Sequence, residues 1–228
     1  MSVHFQREVD QLKQRLLSLS AVVERQLHAA TRALHERDAP AAEKVIEGDG
    51  EIDRMEVAIE EECLKILALY QPVASDLRFI VSVLKINNDL ERIGDLCVNV
   101  ARKAAALARR SGFVFPCDLQ AMSDRVVQMV EQSLDALVRL DVDRARSVCA
   151  MDESVNEMKR ETRRAVVAVI ERSPELADLL LRLLGASRNL ERIADLATNI
   201  AEDVIYLVEG QIMRHQGETR DQDDVDER

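Results

Sequence analysis

Aromatic residues and helix-breaking residues are scarce in this sequence. Of its 228 residues only 3% are aromatic, none is tryptophan, and there are 7 glycines and 4 prolines. Glycine and proline are the residues that most disfavour the interior of a helix. At the same time 47% of the residues are hydrophobic, which is a globular composition and not a disordered one. The sequence therefore predicts a globular protein that is helical nearly throughout.

Long apolar runs and basic tracts are also absent. No stretch approaches the ~20 apolar residues of a membrane span, and the opening residues MSVHFQREVDQLKQ carry charges where a signal peptide needs an apolar segment. A net charge of −11 repels nucleic acids and anionic lipids. We expect a cytoplasmic protein that binds no nucleic acid and does not insert into a membrane.

Four cysteines are present, but none forms a CxxC pair. We interpret them as small buried or half-buried apolar residues, and not as disulfide or zinc cysteines. They are Cys63, Cys97, Cys117 and Cys149.

Apolar residues recur at steps of three and four along most of the chain, so its breaks define the elements. Asp38 is placed to cap the second helix, and Ser75 or Asp76 the third. We expect six helices, at about 5–36, 38–69, 75–110, 119–140, 142–172 and 174–209.

The breaks fall in matching places in the two halves of the chain, which indicates an internal repeat. Asp38 and Asp141 lie 103 residues apart, whereas Glu91 and Glu191 lie 100 apart. The predicted fold class is all-α, with two tandem three-helix units. We place the units at residues 1–112 and 119–210, a linker at 113–118 and a polar, disordered tail at 211–228.

One block of the third helix is repeated in the sixth. Residues 90–101 and 190–201 are identical at eight of twelve positions. Residues four apart on a helix turn only ~40° per step and so line one stripe. Each block has such a stripe of Glu, Asp and Asn, formed by Glu91, Asp95 and Asn99 in the first unit and by Glu191, Asp195 and Asn199 in the second.

The preceding helix of each unit carries polar residues at the same height. Counting from the loop, Asp49 falls level with Asp95, and Asp53 with Glu91. In the second unit Asp152 and Asn156 fall level with the repeated stripe. Converging carboxylates repel unless a cation or protons lie between them.

Carboxylate and amide oxygens are hard ligands that suit iron, Mn²⁺, Mg²⁺ or Ca²⁺. The blocks contain no histidine or cysteine at ligand spacing, which argues against a structural zinc site. The alternative is that each stripe is a solvated helix face paired with Arg92 or Arg192, or a duplicated packing surface.

Three segments resemble the PhoU family of phosphate-uptake regulators, which are accessory proteins of the phosphate-specific transport system. They are QPVASDLR at 71–78, LERIGD at 90–95 and LERIADLATNIAEDVIYLVEG at 190–210, and the likeness extends over residues 5–212. The resemblance implies two tandem, pseudo-symmetric antiparallel three-helix bundles in a chain that is commonly dimeric.

The resemblance also implies a function. A cytoplasmic accessory protein of the high-affinity phosphate ABC transporter would negatively regulate the phosphate-starvation two-component response. Its expected partners are the transporter's ATPase subunit and the sensor histidine kinase, which would hold it at the inner face of the membrane.

Some members of that family bind iron or zinc clusters through paired acidic motifs. Matched residue by residue, the motifs fall on Asp49, Asp53, Glu91, Asp95, Asp152, Glu191 and Asp195, with Asn99, Asn199 and Glu202 as additional ligands. This chain departs from the pattern in ways that remove ligands, so a metal-free protein remains an alternative. Leu96 and Leu196 stand where the family often has histidine, and Asn156 replaces an acidic residue. Arg102 stands in the first unit where the second has Glu202.

The residues suggest no catalytic site. No Ser or Cys lies in a nucleophile motif, no Gly-rich loop follows a strand, and the histidines at 4, 28, 35 and 215 are scattered. We interpret His28 and His35 as helix-surface residues. The leading hypothesis is a regulatory interaction protein without catalytic activity. The alternatives are a metal buffer or sensor and a carboxylate-bridged metal oxidase, whose Glu-x-x-His pairs we do not find.

Overall fold

The computed structural model describes residues 3–109 and 114–210, and the predicted tail at 211–228 lies outside these ranges. The described chain contains six α-helices and no strand, which confirms the all-α fold class. A one-turn 3₁₀ helix at Pro174–Leu176 precedes the last of them, which therefore begins three residues later than predicted. The helices are α1 (Val3–Glu36), α2 (Ala39–Tyr70), α3 (Ala74–Ala108), α4 (Leu119–Arg139), α5 (Val142–Arg172) and α6 (Ala177–Glu209).

Aspartate side chains begin three of the helices. Asp38, Asp118 and Asp141 each accept a hydrogen bond from the backbone N–H three residues later, over 3.0, 2.9 and 3.0 Å. Such a bond satisfies a helix N–H that has no partner within the helix. The prediction of an Asp38 cap is confirmed.

The start of α3 differs from the prediction. The residue at its N-cap is Val73, whose side chain makes no capping bond, and Ala74 already lies in the helix. The predicted cap by Ser75 or Asp76 is therefore wrong, because both residues lie inside the first turn. Asp76 is placed there to interact favourably with the positive end of the helix dipole.

The repeat is visible in the backbone itself. Arg37 and Leu140, which follow α1 and α4 and lie 103 residues apart, both have positive φ, 54° and 53°. Neither is glycine, so each adopts a conformation that side chains disfavour. Equivalent strained residues at equivalent helix ends indicate that both units turn their chains in the same way.

The six helices pack as two similar antiparallel three-helix bundles. In the first, α1, α2 and α3 all contact one another, and α4, α5 and α6 do the same in the second. The bundles meet where α3 packs against α6 and where α1 contacts α4. A single hydrophobic core of aliphatic side chains runs through both bundles.

The contact between α3 and α6 joins equivalent positions of the two units. Lys85 on α3 donates to the buried Asp203 on α6 over 3.1 Å. One hundred residues on from Lys85 lies Gly185, and there the aliphatic stem of Lys103 covers α6, with its Cε 3.2 Å from where a Cβ on Gly185 would lie. The two contacts are thus related by an approximate two-fold symmetry. Lys85 has an ion-pair partner on α6, whereas Lys103 meets a glycine at the equivalent position.

All four cysteines are free, with Cys63 and Cys97 buried and Cys117 and Cys149 half-buried, as predicted. Burial raises the pKa of Cys63 to about 12 and that of Cys149 to about 11, so both remain protonated, weakly nucleophilic thiols near neutral pH. Within residues 3–109 and 114–210 no helix is long and apolar enough to cross a membrane.

Candidate functional site: two acidic clusters

Five carboxylates face one another across α2 and α3. This first acidic cluster consists of Asp49, Asp53 and Glu56 on α2 and Glu91 and Asp95 on α3. Burial raises the pKa of Glu91 most, and the charges of the other four carboxylates raise it further. The pKa of Asp49 is raised by burial and by the charges of Asp53 and Asp95. The two helices therefore bring together the four acidic residues that were predicted to lie level with one another, and Glu56 joins them.

A glycine lets α2 and α3 approach closely beside this cluster. A Cβ on Gly94 would lie 2.9 Å from Ile52 Cδ1 and 3.7 Å from Asp49 Oδ1. From α1, Gln26 donates weakly to both Asp49 Oδ1 and the Gly94 carbonyl, over 3.4 Å each. All three helices of the first bundle thus position Asp49.

The second acidic cluster occupies the equivalent place on α5 and α6. It consists of Asp152, Asn156 and Lys159 on α5 and Glu191 and Asp195 on α6. Lys159 Nζ lies 2.5 Å from Glu191 Oε1, and Asn156 donates to Asp152 Oδ2 over 2.9 Å. Here an ammonium and an amide hold two of the three carboxylates.

Two carboxyl groups of the second cluster have raised pKa values. Burial, followed by the charges of Glu191 and Asp152, raises the pKa of Asp195 to about 6, although Lys159 and Arg192 oppose the shift. The pKa of Asp152 is raised by burial and then by the charge of Glu191. A group with a pKa near 6 exchanges protons close to physiological pH.

The three additional ligands suggested by the sequence have differing surroundings. Arg102 donates to Asn99 Oδ1 over 3.3 Å, so that oxygen already has a cationic partner. Asn199 and Glu202 lie half-buried on α6, and the charge of Glu202 contributes to the raised pKa of Cys149. The charges of Glu202 and Asp152 thus both act on Cys149, which lies on α5.

The donor chemistry of the two clusters differs with respect to a metal. The first offers five carboxylates, and among the described residues no lysine or arginine forms an ion pair with any of them. Such a set fits a hard or borderline divalent cation. In the second cluster the Lys159 ammonium already bonds Glu191, so this donor set does not fit a metal equally well.

The carboxylates of the acidic clusters are neighbours, but their oxygen atoms do not all converge on one point. Among residues 3–109 and 114–210, the one group of three His, Cys, Asp or Glu side chains whose donor atoms all lie within 4.8 Å of each other is Glu24, His28 and Glu131. His28 lies on the helix surface as predicted, and its Nε2 lies 2.9 Å from Glu131 Oε1, which ties α1 to α4. The acidic clusters keep wider spacings, as mutually repelling charges do.

Sequence reasoning missed Glu56, Lys159 and Gln26. The first two were detectable, because they lie 103 residues apart and each follows the first aspartate of its motif by seven residues, on the same helix face. The position of Gln26 depends on how α1 packs, and no pattern in the sequence signals it.

Two similar helical bundles, each with a polar cluster on its second and third helices, define a duplicated all-helical protein. The PhoU domain family model matches residues 16–104 and 119–204, one match for each bundle. The chain therefore belongs to the PhoU family.

Curated relatives match over nearly the whole chain. The phosphate-specific transport system accessory protein PhoU homolog of Pseudomonas aeruginosa is 40% identical over 99% of this chain and 94% of its own length. The phosphate-specific transport system accessory protein PhoU of Escherichia coli is 35% identical over 95% of this chain and 90% of its own.

Solved structures share the fold. The crystal structure of PhoU from Pseudomonas aeruginosa matches with a TM-score of 0.87 and 40% identity, over 91% of this chain and 100% of that one. The phosphate transport system regulatory protein PhoU from Streptococcus pneumoniae matches with a TM-score of 0.84 and 28% identity, over 91% and 98%. This chain thus shares its fold with both PhoU proteins.

Proposed function

We propose that the chain negatively regulates the phosphate-starvation two-component response from the cytoplasmic face of the high-affinity phosphate ABC transporter. In this proposal it contacts the transporter's ATPase subunit and the sensor histidine kinase, and it catalyses no reaction of its own. When phosphate is plentiful, these contacts hold the kinase in its phosphatase-favouring state.

The observation that carries the proposal is 40% identity to an accessory protein of that transport system over 99% of the chain. A relative of the same fold, from Streptococcus pneumoniae, is a phosphate transport system regulatory protein. The duplicated architecture supports it as well, because two similar bundles offer two surfaces for two different partners.

The test is complementation in a bacterium that lacks its own PhoU and expresses phosphate-starvation genes at high phosphate. We expect this chain to restore repression, read as loss of a starvation-promoter reporter signal. Co-purification with the ATPase subunit and with the kinase, each tested separately, assigns the contacts. A chain that is expressed and folded but restores no repression and binds neither partner contradicts the proposal.

Absence of catalysis is tested on the same purified chain. We expect no phosphate release from ATP or from a phosphomonoester above that of an Asp95→Ala, Asp195→Ala double variant. Release that the double variant abolishes would make the protein an enzyme.

We further propose that the first acidic cluster holds a divalent metal ion, of which iron, zinc or manganese are the candidates. The support is its donor set: five neighbouring carboxylates, in which burial first and mutual repulsion second raise the pKa values of Asp49 and Glu91. Asp49, Asp53, Glu91 and Asp95 would hold the ion, and a cation there would relieve that repulsion.

Metal content measured by mass spectrometry tests this point, on protein purified without chelator or metal-affinity resin. We expect bound metal to fall when Glu91→Gln and Asp95→Asn are combined, with helical content unchanged. If metal alters the affinity for neither partner, the sensor alternative is excluded and a structural role remains.

A homodimer in solution is the expected assembly, and light scattering after size exclusion measures it.

A further inference from the structure

The two acidic clusters differ most at one pair of equivalent positions. Glu56 on α2 and Lys159 on α5 lie 103 residues apart, which is also the separation of Asp49 from Asp152. Each follows its aspartate by seven residues, or two helical turns, and so lies on the same face. The first unit therefore places a carboxylate where the second places an ammonium.

Contacts within the second cluster show what that ammonium does. Lys159 Nζ lies 2.5 Å from Glu191 Oε1, and the Glu191 side chain is only 14% exposed. The charge of Lys159 also acts on Asp152 and on Asp195, in each case lowering a pKa that burial has raised. One cation thus interacts with all three carboxylates of the cluster.

A second replacement points in the same direction. Asn156 stands where the first cluster has Asp53, and it donates to Asp152 Oδ2 over 2.9 Å. An amide donor on that oxygen occupies a lone pair that a metal would use. Both replacements supply hydrogen-bond donors to the carboxylates and remove negative charge.

In the first cluster a neighbouring cation plays another part. Arg102 bonds Asn99 and acts on Asp49 only through its charge. Asn87 donates to Glu56 through its amide, over 3.3 Å to Oε1, which leaves the carboxylate negative.

We infer that Lys159 is a built-in counter-ion that takes the place of a metal in the second acidic cluster, so that this half of the chain binds no divalent cation. The duplicated motif then serves two purposes: the first cluster keeps the charge that a metal requires, and the second is a fixed structural ion pair. This inference does not depend on the regulatory role proposed above.

Mn²⁺ binding to the full-length chain tests the inference, with bound ions counted by titration calorimetry and electron paramagnetic resonance. The double variant Asn156→Asp, Lys159→Glu gives the second cluster the residues of the first. We expect it to bind about one more Mn²⁺ per chain than the wild type, and a further Asp195→Asn change to remove that ion. If the double variant binds no more Mn²⁺ than the wild type, the inference is overturned.

The wild type gives a second readout. Its Mn²⁺ binding is expected to be unaffected by Asp195→Asn, and a loss there would also overturn the inference. If the wild type binds no Mn²⁺ and the double variant does, Lys159 is the counter-ion while the metal proposed for the first cluster fails. The two ideas therefore fail separately.

Thermal stability provides a measurement that does not require a new metal site. Lys159→Met is expected to lower Tm by about 3–6 °C, and millimolar Mn²⁺ to restore most of that loss. Lys159→Arg, which keeps the charge, should stay near the wild-type Tm and show no Mn²⁺ effect. The matched control is Lys65→Met, because Lys65 also bonds two glutamates but at a more exposed site between α1 and α2. Equal Mn²⁺ rescue of both lysine variants would contradict a specific counter-ion role.

Discussion

Lys85 on α3 and Asp203 on α6 form an ion pair of 3.1 Å that joins the two bundles. The Asp203 side chain is only 4% exposed, whereas that of Lys85 is 35% exposed and also lies over the ring of Tyr206, with Nζ 4.9 Å from its centroid. A buried carboxylate depends on its partner far more than an exposed one does. This pair is therefore a fixed point of the interface between the two halves of the repeat.

We predict that Lys85→Met lowers the free energy of unfolding by about 1–3 kcal/mol, since it leaves the Asp203 carboxylate buried without that partner. Urea denaturation measures the change. Combining it with Asp203→Leu should recover part of the loss, because an apolar pair replaces the buried carboxylate. If the destabilisation of the double variant equals the sum of those of Lys85→Met and Asp203→Leu, the two residues are not coupled.

We predict that Gly94→Ala destabilises the first bundle by about 1–3 kcal/mol. The added methyl group would lie 2.9 Å from Ile52 Cδ1, so α2 and α3 must separate or Ile52 must move. Gly48→Ala is the matched control within α2, where a Cβ meets nothing within 4 Å. That change should stabilise the chain by up to about 1 kcal/mol. Thermal and urea unfolding of both variants checks the opposite signs.

We predict that Asp195 makes the chain less stable as pH rises from about 4 to 6. Its folded-state pKa of about 6 lies above the unfolded value of about 3.9, so the folded chain binds the extra proton in that window. The stabilisation is complete below the unfolded pKa and is lost as pH rises through the folded one. Asp195 is partly exposed to solvent, which screens the charges that act on it, so the expected loss in the free energy of unfolding is about 1 kcal/mol.

The comparison of wild type with Asp195→Asn at pH 4 and pH 7.5 measures that effect. The variant should gain about 1 kcal/mol relative to the wild type between the two pH values. Asp143→Asn is the control, because its side chain is 99% exposed. The same gain in Asp143→Asn would trace the effect to net charge and not to the cluster.

We predict that His35 contributes a pH dependence of the opposite sign. His35 is half-buried and does not lie on the helix surface as predicted. Burial lowers its pKa, and its Nε2 is buried without a hydrogen-bond partner in the described part of the chain. The unfolded chain then binds a proton more readily than the folded one, so stability rises with pH up to about 6.5. An NMR titration of the His35 ring should give a midpoint below 6.5, and a midpoint at or above that value contradicts the prediction.

The sequence determined most of the fold. Scarce glycine and proline, apolar residues at helical spacing and capping aspartates placed the helices, because these signals act within a few residues of the chain. The repeat at offsets of 100 and 103 residues predicted two equivalent units, and equal helix rise placed Asp49 level with Asp95 across two antiparallel helices.

Only the tertiary structure decided which side chains share a site. Heights along a helix do not say which way a side chain turns. The spacing of Glu56 and Lys159 places each on the same helix face as its aspartate, but only the packed helices show which carboxylates the two side chains meet. Gln26 reaches Asp49 from a third helix, and Lys85 meets Asp203 across 118 residues of chain. Those contacts depend on the rotation and spacing of packed helices, which the whole core sets and which no local pattern encodes.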